Sequence, residues 1–201
     1  MSPRSSVAQA SRTRATIVAE VVARASVEGL EGVTIGTIAD DLGMSKAGVV
    51  GPFGSKEELQ LAALERAIAI FRAEVWDRAA GSAPGLERLR AIAEQWVSYL
   101  ERDVFPGGCF LTAAAAEFDG RPGRVKEAVE EALRLWNSVL AAEVRTAIAN
   151  GEVDPDTDPT QVAFELNAIA MAVNQARQLR GDAGAGRRGR MAMARVLSPA
   201  S

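Results

Sequence analysis

The chain has 201 residues, 48% of them apolar and 24% charged, with 26 acidic against 23 basic side chains and a net charge of −3. It contains no histidine and a single cysteine. That excludes Ser-His-Asp and Cys-His nucleophile activation, imidazole metal ligands, an internal disulfide and cysteine-rich metal clusters.

Residues 1–14 are rich in serine and arginine and lack the apolar run of a secretory signal. No stretch reaches the roughly 18 apolar residues that a membrane span needs, so a soluble, cytoplasmic protein with no membrane partner is expected. Aromatic residues are only 5% of the chain and strict apolar alternation is missing. Apolar residues recur instead at helical spacing, which predicts an all-α fold of about nine helices.

Residues 1–12 read as a flexible basic arm. Val18, Val21, Val22 and Ala25 then fall on one helical face, and Gly29 is placed to end that helix in a left-handed cap. Thr34 stands as N-cap before Ile35, Ile38, Ala39 and Leu42, a short second helix. Gly43 follows, and Ser45 caps a third segment, Lys46 to Gly51, which Pro52, Phe53 and Gly54 break. Ser55 and Glu58 predict a reciprocal capping box that opens a long fourth helix. Leu61, Leu64, Ile68, Phe71 and Val75 share one face of it, to about Arg78.

A Gly/Ser/Pro loop at 81–85 precedes a fifth helix carrying Leu89, Ile92, Ala93, Trp96 and Leu100. The turn 105–108 leads into a short buried helix, Cys109 to Phe118. A long seventh helix presents Val125, Val129, Ala132, Trp136 and Leu140 and closes near Gly151. Asp158 and Pro159 suit the cap and first turn of an eighth helix through Arg180, which is apolar or uncharged almost all round. A short basic helix, Arg187 to Leu197, ends the chain.

From Thr34 to Phe53 a helix, a glycine turn and a second capped helix follow one another. This is the layout of a helix-turn-helix, in which the second helix enters the DNA major groove. The run Gly32-Val33-Thr34-Ile35, Ile38-Ala39, Leu42-Gly43-Met44-Ser45-Lys46 and Phe53-Gly54-Ser55-Lys56-Glu57-Glu58-Leu59 resembles the N-terminal domain of the tetracycline-repressor (TetR) family. The motif match covers about residues 13 to 60, and Phe105-Pro106-Gly107-Gly108-Cys109-Phe110 resembles one branch of that family.

The resemblance implies a DNA-binding domain at 13–56 and a ligand-binding and dimerisation domain at 57–198. The implied protein is a homodimeric, ligand-responsive transcriptional regulator and no enzyme: a repressor of a palindromic operator in double-stranded DNA, released by a small apolar effector. By the same resemblance Thr34, Thr37, Ser45, Lys46 and Lys56 lie near DNA. Thr34, Ser45 and Lys56 would grip phosphates, and Lys46 with the Ala47-Gly48 surface would face bases or the neighbouring backbone. Arg12 and Arg14 would reach a groove as part of the arm. The sequence departs from the family pattern at Val50, where a tyrosine is usual, and at Gly51-Pro52. Residues 1–56 hold only six basic against five acidic side chains, so a shallow salt dependence is expected.

Trp96, Tyr99, Phe110, Trp136, Phe164, Asn167, Met171 and Asn174 lie on helices that surround the effector pocket in this family, and they are the expected ligand-binding residues. Helix eight, apolar on more than one face, would pack one face in its own subunit and bury the other in the dimer. Cys109 reads as a small buried hydrophobe, with a redox- or electrophile-sensing thiol as the alternative.

No cofactor or metal is expected. Gly184 to Gly189 match G-x-G-x-x-G without a preceding strand. Asp154, Asp156, Asp158 and Glu165 have calcium-loop spacing but carry Pro159 where that loop needs glycine. The adjacent acids Asp40-Asp41 and Glu130-Glu131 point in different directions on a helix, so they do not make a general acid–base pair.

Overall fold

The computed structural model describes residues 3–198, and within them every regular element is helical. In chain order these are α1 (Pro3–Glu28), α2 (Ile35–Leu42), α3 (Lys46–Val50), α4 (Lys56–Phe71), α5 (Asp77–Ala79), α6 (Leu86–Glu101), α7 (Phe110–Phe118), α8 (Arg124–Ala149), α9 (Pro159–Arg180) and α10 (Ala185–Val196). A π-helical turn, Arg72–Trp76, joins α4 to α5 without a break, so the described residues form nine helical rods, as expected. None of these helices is long and apolar enough to cross a membrane.

The expected flexible arm over 1–12 is instead the start of α1 from Pro3. Proline at a first helical position costs no backbone bond, and Ala8, Gln9 and Ala10 have high helix propensity. These turns persist although residues 7–12 are exposed.

Two glycines behave as their positions demand. Gly29 takes φ +80° after α1 and donates its N–H to Ala25 O at 2.9 Å. Gly43, at φ +62°, turns the chain so that Met44 N–H reaches Ala39 O at 2.8 Å. Both close helix ends that an L side chain would strain.

The chain divides into two compact units, each made of two stretches: 1–69 with 105–130, and 70–104 with 131–201. The stretch 105–130, which carries α7 and the beginning of α8, thus clusters with residues 1–69 and not with the remainder of the 57–198 segment. In the first unit Ile17, Val21, Val22, Ile38, Val49, Leu59, Ala63, Phe110, Ala114 and Val125 are buried. In the second, Phe71, Leu89, Ile92, Trp96, Leu140, Leu166 and Met193 form the core.

Small residues and one arginine seat α10 in the second unit. A Cβ on Gly189 would lie 2.4 Å from Val173 Cγ2, so α9 and α10 approach at a distance only glycine allows. Arg190 donates to both oxygens of Glu94 (2.8 and 2.9 Å) and to both of Glu101 (2.9 and 2.7 Å), tying α10 to α6. This bidentate geometry is what planar guanidinium supplies and lysine cannot.

Candidate functional site

The α2–α3 pair is built from local signals. Thr34 Oγ1 accepts the Thr37 N–H at 3.1 Å, and Thr37 Oγ1 accepts the Thr34 N–H at 3.3 Å, a reciprocal capping box. Thr37, expected near DNA, is half-buried and its hydroxyl is engaged in this box. Ser45 Oγ caps α3 by accepting the Gly48 N–H at 3.0 Å. Val49 is fully buried and, with Ile38 and Ala39, packs in the core of this unit.

That packing leaves Thr34, Ser45, Lys46 and Ala47 exposed together and Gly48 half-buried. Gly36 was missed by sequence reasoning: an added Cβ would meet Lys46 Cε at 3.4 Å. Glycine on α2 thus lets the Lys46 stem lie across it, placing the ammonium at the rim of the exposed face.

The other expected DNA residues make contacts within the chain. Lys56 opens α4, but its ammonium donates to Glu31 O at 3.0 Å and lies 3.4 Å from the Glu31 carboxylate. A hydrogen bond from Gln60 holds the Glu31 carboxyl below its usual range, and the Lys56 and Arg121 charges add to this. Arg12 and Arg14 sit on α1 and not on an arm. Arg12 donates to Gln9 Oε1 at 3.1 Å, and the Arg14 guanidinium lies 4.8 Å from the centre of the Phe53 ring, a cation–π contact. Arg24 bridges Glu28 and Asp41.

The box expected between Ser55 and Glu58 is half made. Ser55 Oγ accepts the Glu58 N–H at 3.1 Å, whereas the Glu58 carboxylate pairs with Arg124. Charge attraction across the fold outcompetes the local amide.

The expected ligand residues separate into three groups. Trp96, Tyr99 and Trp136 converge on Phe71, whose ring is 5.7, 5.4 and 5.0 Å from theirs at near-perpendicular angles. In the sequence Phe71 reads only as part of a helix face. The Trp136 indole N–H is buried and finds no acceptor among the described protein atoms, which costs free energy unless something else supplies one.

Phe110 does not join this cluster. It belongs to the first unit, buried against Phe105 at 5.8 Å between ring centres. Phe164 and Met171, expected to line a cavity, are 66% and 52% exposed on the outer side of α9. The inward positions of α9 are Val162, Ala163, Leu166, Ala170, Val173 and Ala176, which turns Phe164 and Met171 outward. Asn167 donates to Ala163 O at 2.9 Å and pairs with Asn137, so its amide is satisfied within the chain. Asn174 is half-buried.

Cys109 is 5% exposed at the N-cap position of α7, a place that suits packing more than reaction with a dissolved oxidant. Asp158 accepts the Thr160 N–H at 2.8 Å with Pro159 in the first turn of α9, the capping role expected of it. Among the described residues no group of three metal-binding side chains is assembled.

Residues 85–193 match the family described as "Tetracyclin repressor-like, C-terminal domain". Solved structures are similar over nearly the whole chain. A TetR transcriptional regulator from Chloroflexus aurantiacus J-10-FL is 27% identical, with a TM-score of 0.88 over 94% of this chain and 96% of that one. AibR, solved with isovaleryl coenzyme A and operator DNA, is 20% identical with a TM-score of 0.76, covering 93% and 99%. A putative transcriptional regulator from Saccharomonospora viridis, solved with choline, is 22% identical with a TM-score of 0.78, covering 93% and 96%. No curated protein matches the sequence. With more than half of the chain matched by the family description and the helices arranged as in these structures, the chain belongs to the TetR family of transcriptional regulators, which are transcription factors and not enzymes.

Proposed function

We propose that this chain is a homodimeric, sequence-specific DNA-binding regulator, a repressor whose palindromic operator is released when a small, largely apolar effector binds. The observation that carries the reading is the exposed face of the α2–α3 pair. It presents Thr34, Ser45, Lys46 and Ala47 beside the near-bare backbone of Gly48, on a helix anchored from below by Val49. In this reading Lys46 and the Ala47-Gly48 backbone meet bases, while Thr34 and Ser45 hydroxyls meet phosphates. AibR, of the same fold, was solved on operator DNA, which supports the mode of binding.

The aromatic cluster of Phe71, Trp96, Tyr99 and Trp136 is the region best suited to an effector, since the Trp136 indole N–H has no acceptor among the described protein atoms. The second apolar stripe of α9, with Phe164, Met171 and Leu179 exposed, supports a dimer that covers it. Fluorescence anisotropy with DNA from the gene's own upstream region, at several salt concentrations, tests the reading. Tight binding of one duplex and a loss on Lys46→Ala are expected. Equal binding of specific and random duplexes at every salt overturns it.

A further inference from the structure

Between α1 and α2 the backbone of Leu30 and Glu31 is fully engaged, and from two sides. The Leu30 N–H donates to Glu117 Oε2 at 2.7 Å and the Glu31 N–H to Glu117 Oε1 at 2.9 Å. The carbonyls of the same two residues are taken from α4: Gln60 Nε2 donates to Leu30 O at 3.1 Å and Lys56 Nζ to Glu31 O at 3.0 Å. Gly29 makes the arrangement feasible. Its positive φ turns the two following amides toward one point, an anion-binding nest. A Cβ there would also lie 2.7 Å from Glu117 Oε1.

Glu117 lies on α7, 87 residues from Leu30. A carboxylate at the C-terminal end of α1 opposes that helix's dipole, so its favourable contribution comes from the two charge-assisted bonds. A second pin lies close by. Gly107, in the turn before α7, donates its N–H to Ser26 Oγ at 3.2 Å, and a Cβ on it would lie 1.6 Å from Ser26 O. The end of α1 and the approach to α2 are therefore held by α7 and its leading turn. Four residues beyond Leu30, Thr34 caps α2.

We propose that Glu117 is the positioning residue of the helix-turn-helix: its carboxylate, seated on the Leu30 and Glu31 amides, sets α2–α3 for DNA and makes their placement depend on α7. The proposal rests on the DNA-binding reading above. Glu117→Gln keeps the volume but removes the charge and sets an NH2 group against an amide donor. Gly29→Ala disturbs the nest from the opposite side and leaves the carboxylate in place.

The probe is a fluorescein-labelled duplex enriched by the wild-type chain from a random-sequence library at low salt. Anisotropy is paired with amide hydrogen exchange across 29–42 and with a thermal melt. Both variants are expected to weaken binding by about tenfold or more, the loss of one charge-assisted bond, and to speed exchange across 29–42 while α9 and α10 exchange as in the wild type. Wild-type affinity in a variant whose 29–42 segment exchanges faster overturns the proposal, as does wild-type exchange in Glu117→Gln. Exchange that accelerates equally along the whole chain overturns it too, since Glu117 would then hold only the fold. If the wild type enriches no duplex, the positioning role falls with the DNA-binding reading; slow wild-type exchange at 29–42 then locates the failure in that reading and not in the nest.

Discussion

Gly107 and Ser26 touch through backbone, and no neighbouring side chain can swing aside to admit a larger residue. Gly107→Ala would place its methyl carbon 1.6 Å from Ser26 O, so α1 or the 105–108 turn must shift. Overpacking of this kind costs about 3 kcal/mol, and for a chain of this size the melting temperature is expected to fall by roughly 6–12 °C. A melt followed by circular dichroism checks it. Carboxylates give a different signature. The Glu101 carboxyl is held below its ordinary value of 4.5 by its hydrogen bonds with Arg190, and the Arg190 and Arg177 charges add to this. A depressed folded pKa contributes stability that is present above the unfolded value and lost as pH falls through the folded one. With no histidine in the chain, the melting temperature is expected to stay level from about pH 8 to 5.5 and to drop below about pH 4.5. Glu101→Gln is expected to make that acid limb shallower, measured as melting temperature against pH.

Helix α9 sets the clearest expectation for a whole element. Its buried stripe runs through Val162, Leu166, Ala170 and Val173, and a second stripe through Phe164, Met171 and Leu179 stands in solvent. A paired charge at the centre of the exposed stripe, Phe164→Glu with Met171→Glu, is expected to convert a dimer to monomers while the melt of the monomer changes little. Light scattering after size-exclusion chromatography reads the mass. The contrast between the two stripes also marks what sequence reasoning could reach. Helix periodicity showed that α9 is apolar on two sides, but not which side its own chain covers, so Phe164 and Met171 were placed in a cavity. Thr34, Gly43 and Ser45 were legible because a cap or a left-handed turn is decided within a few residues. The bonds from the Leu30 N–H to Glu117 and from Lys56 to Glu31 were not, because partners far apart in sequence leave no periodic trace. The turns of α1 before residue 12 were missed for a third reason: an exposed polar helix has no apolar stripe to read.

For the molecule as a whole, charge is scarce where DNA would lie. Arg24 and Lys56 are committed to acidic partners, which leaves Lys46, Arg12 and Arg14 as the described cations of residues 1–56 without a carboxylate partner. Contact through these three per subunit in a dimer bound to DNA corresponds to a salt slope of about −5. Operator titrations between 50 and 300 mM salt would measure it, and a slope near −10 would mean that cations beyond these three join the contact. The make-up of the first unit, residues 1–69 with 105–130, carries a consequence for synthesis. The ribosome releases the helix-turn-helix well before the segment that bears Gly107 and Glu117. At roughly 5–20 residues per second, the 61 residues from 70 to 130 take about 3–12 s to emerge. During that interval the nascent α1–α2 junction has its α4 partners but not its carboxylate. A fragment ending at residue 69 should therefore be protease-sensitive across 29–42 even where the full chain resists, so the apparent modularity of the DNA-reading end is undone by vectorial translation.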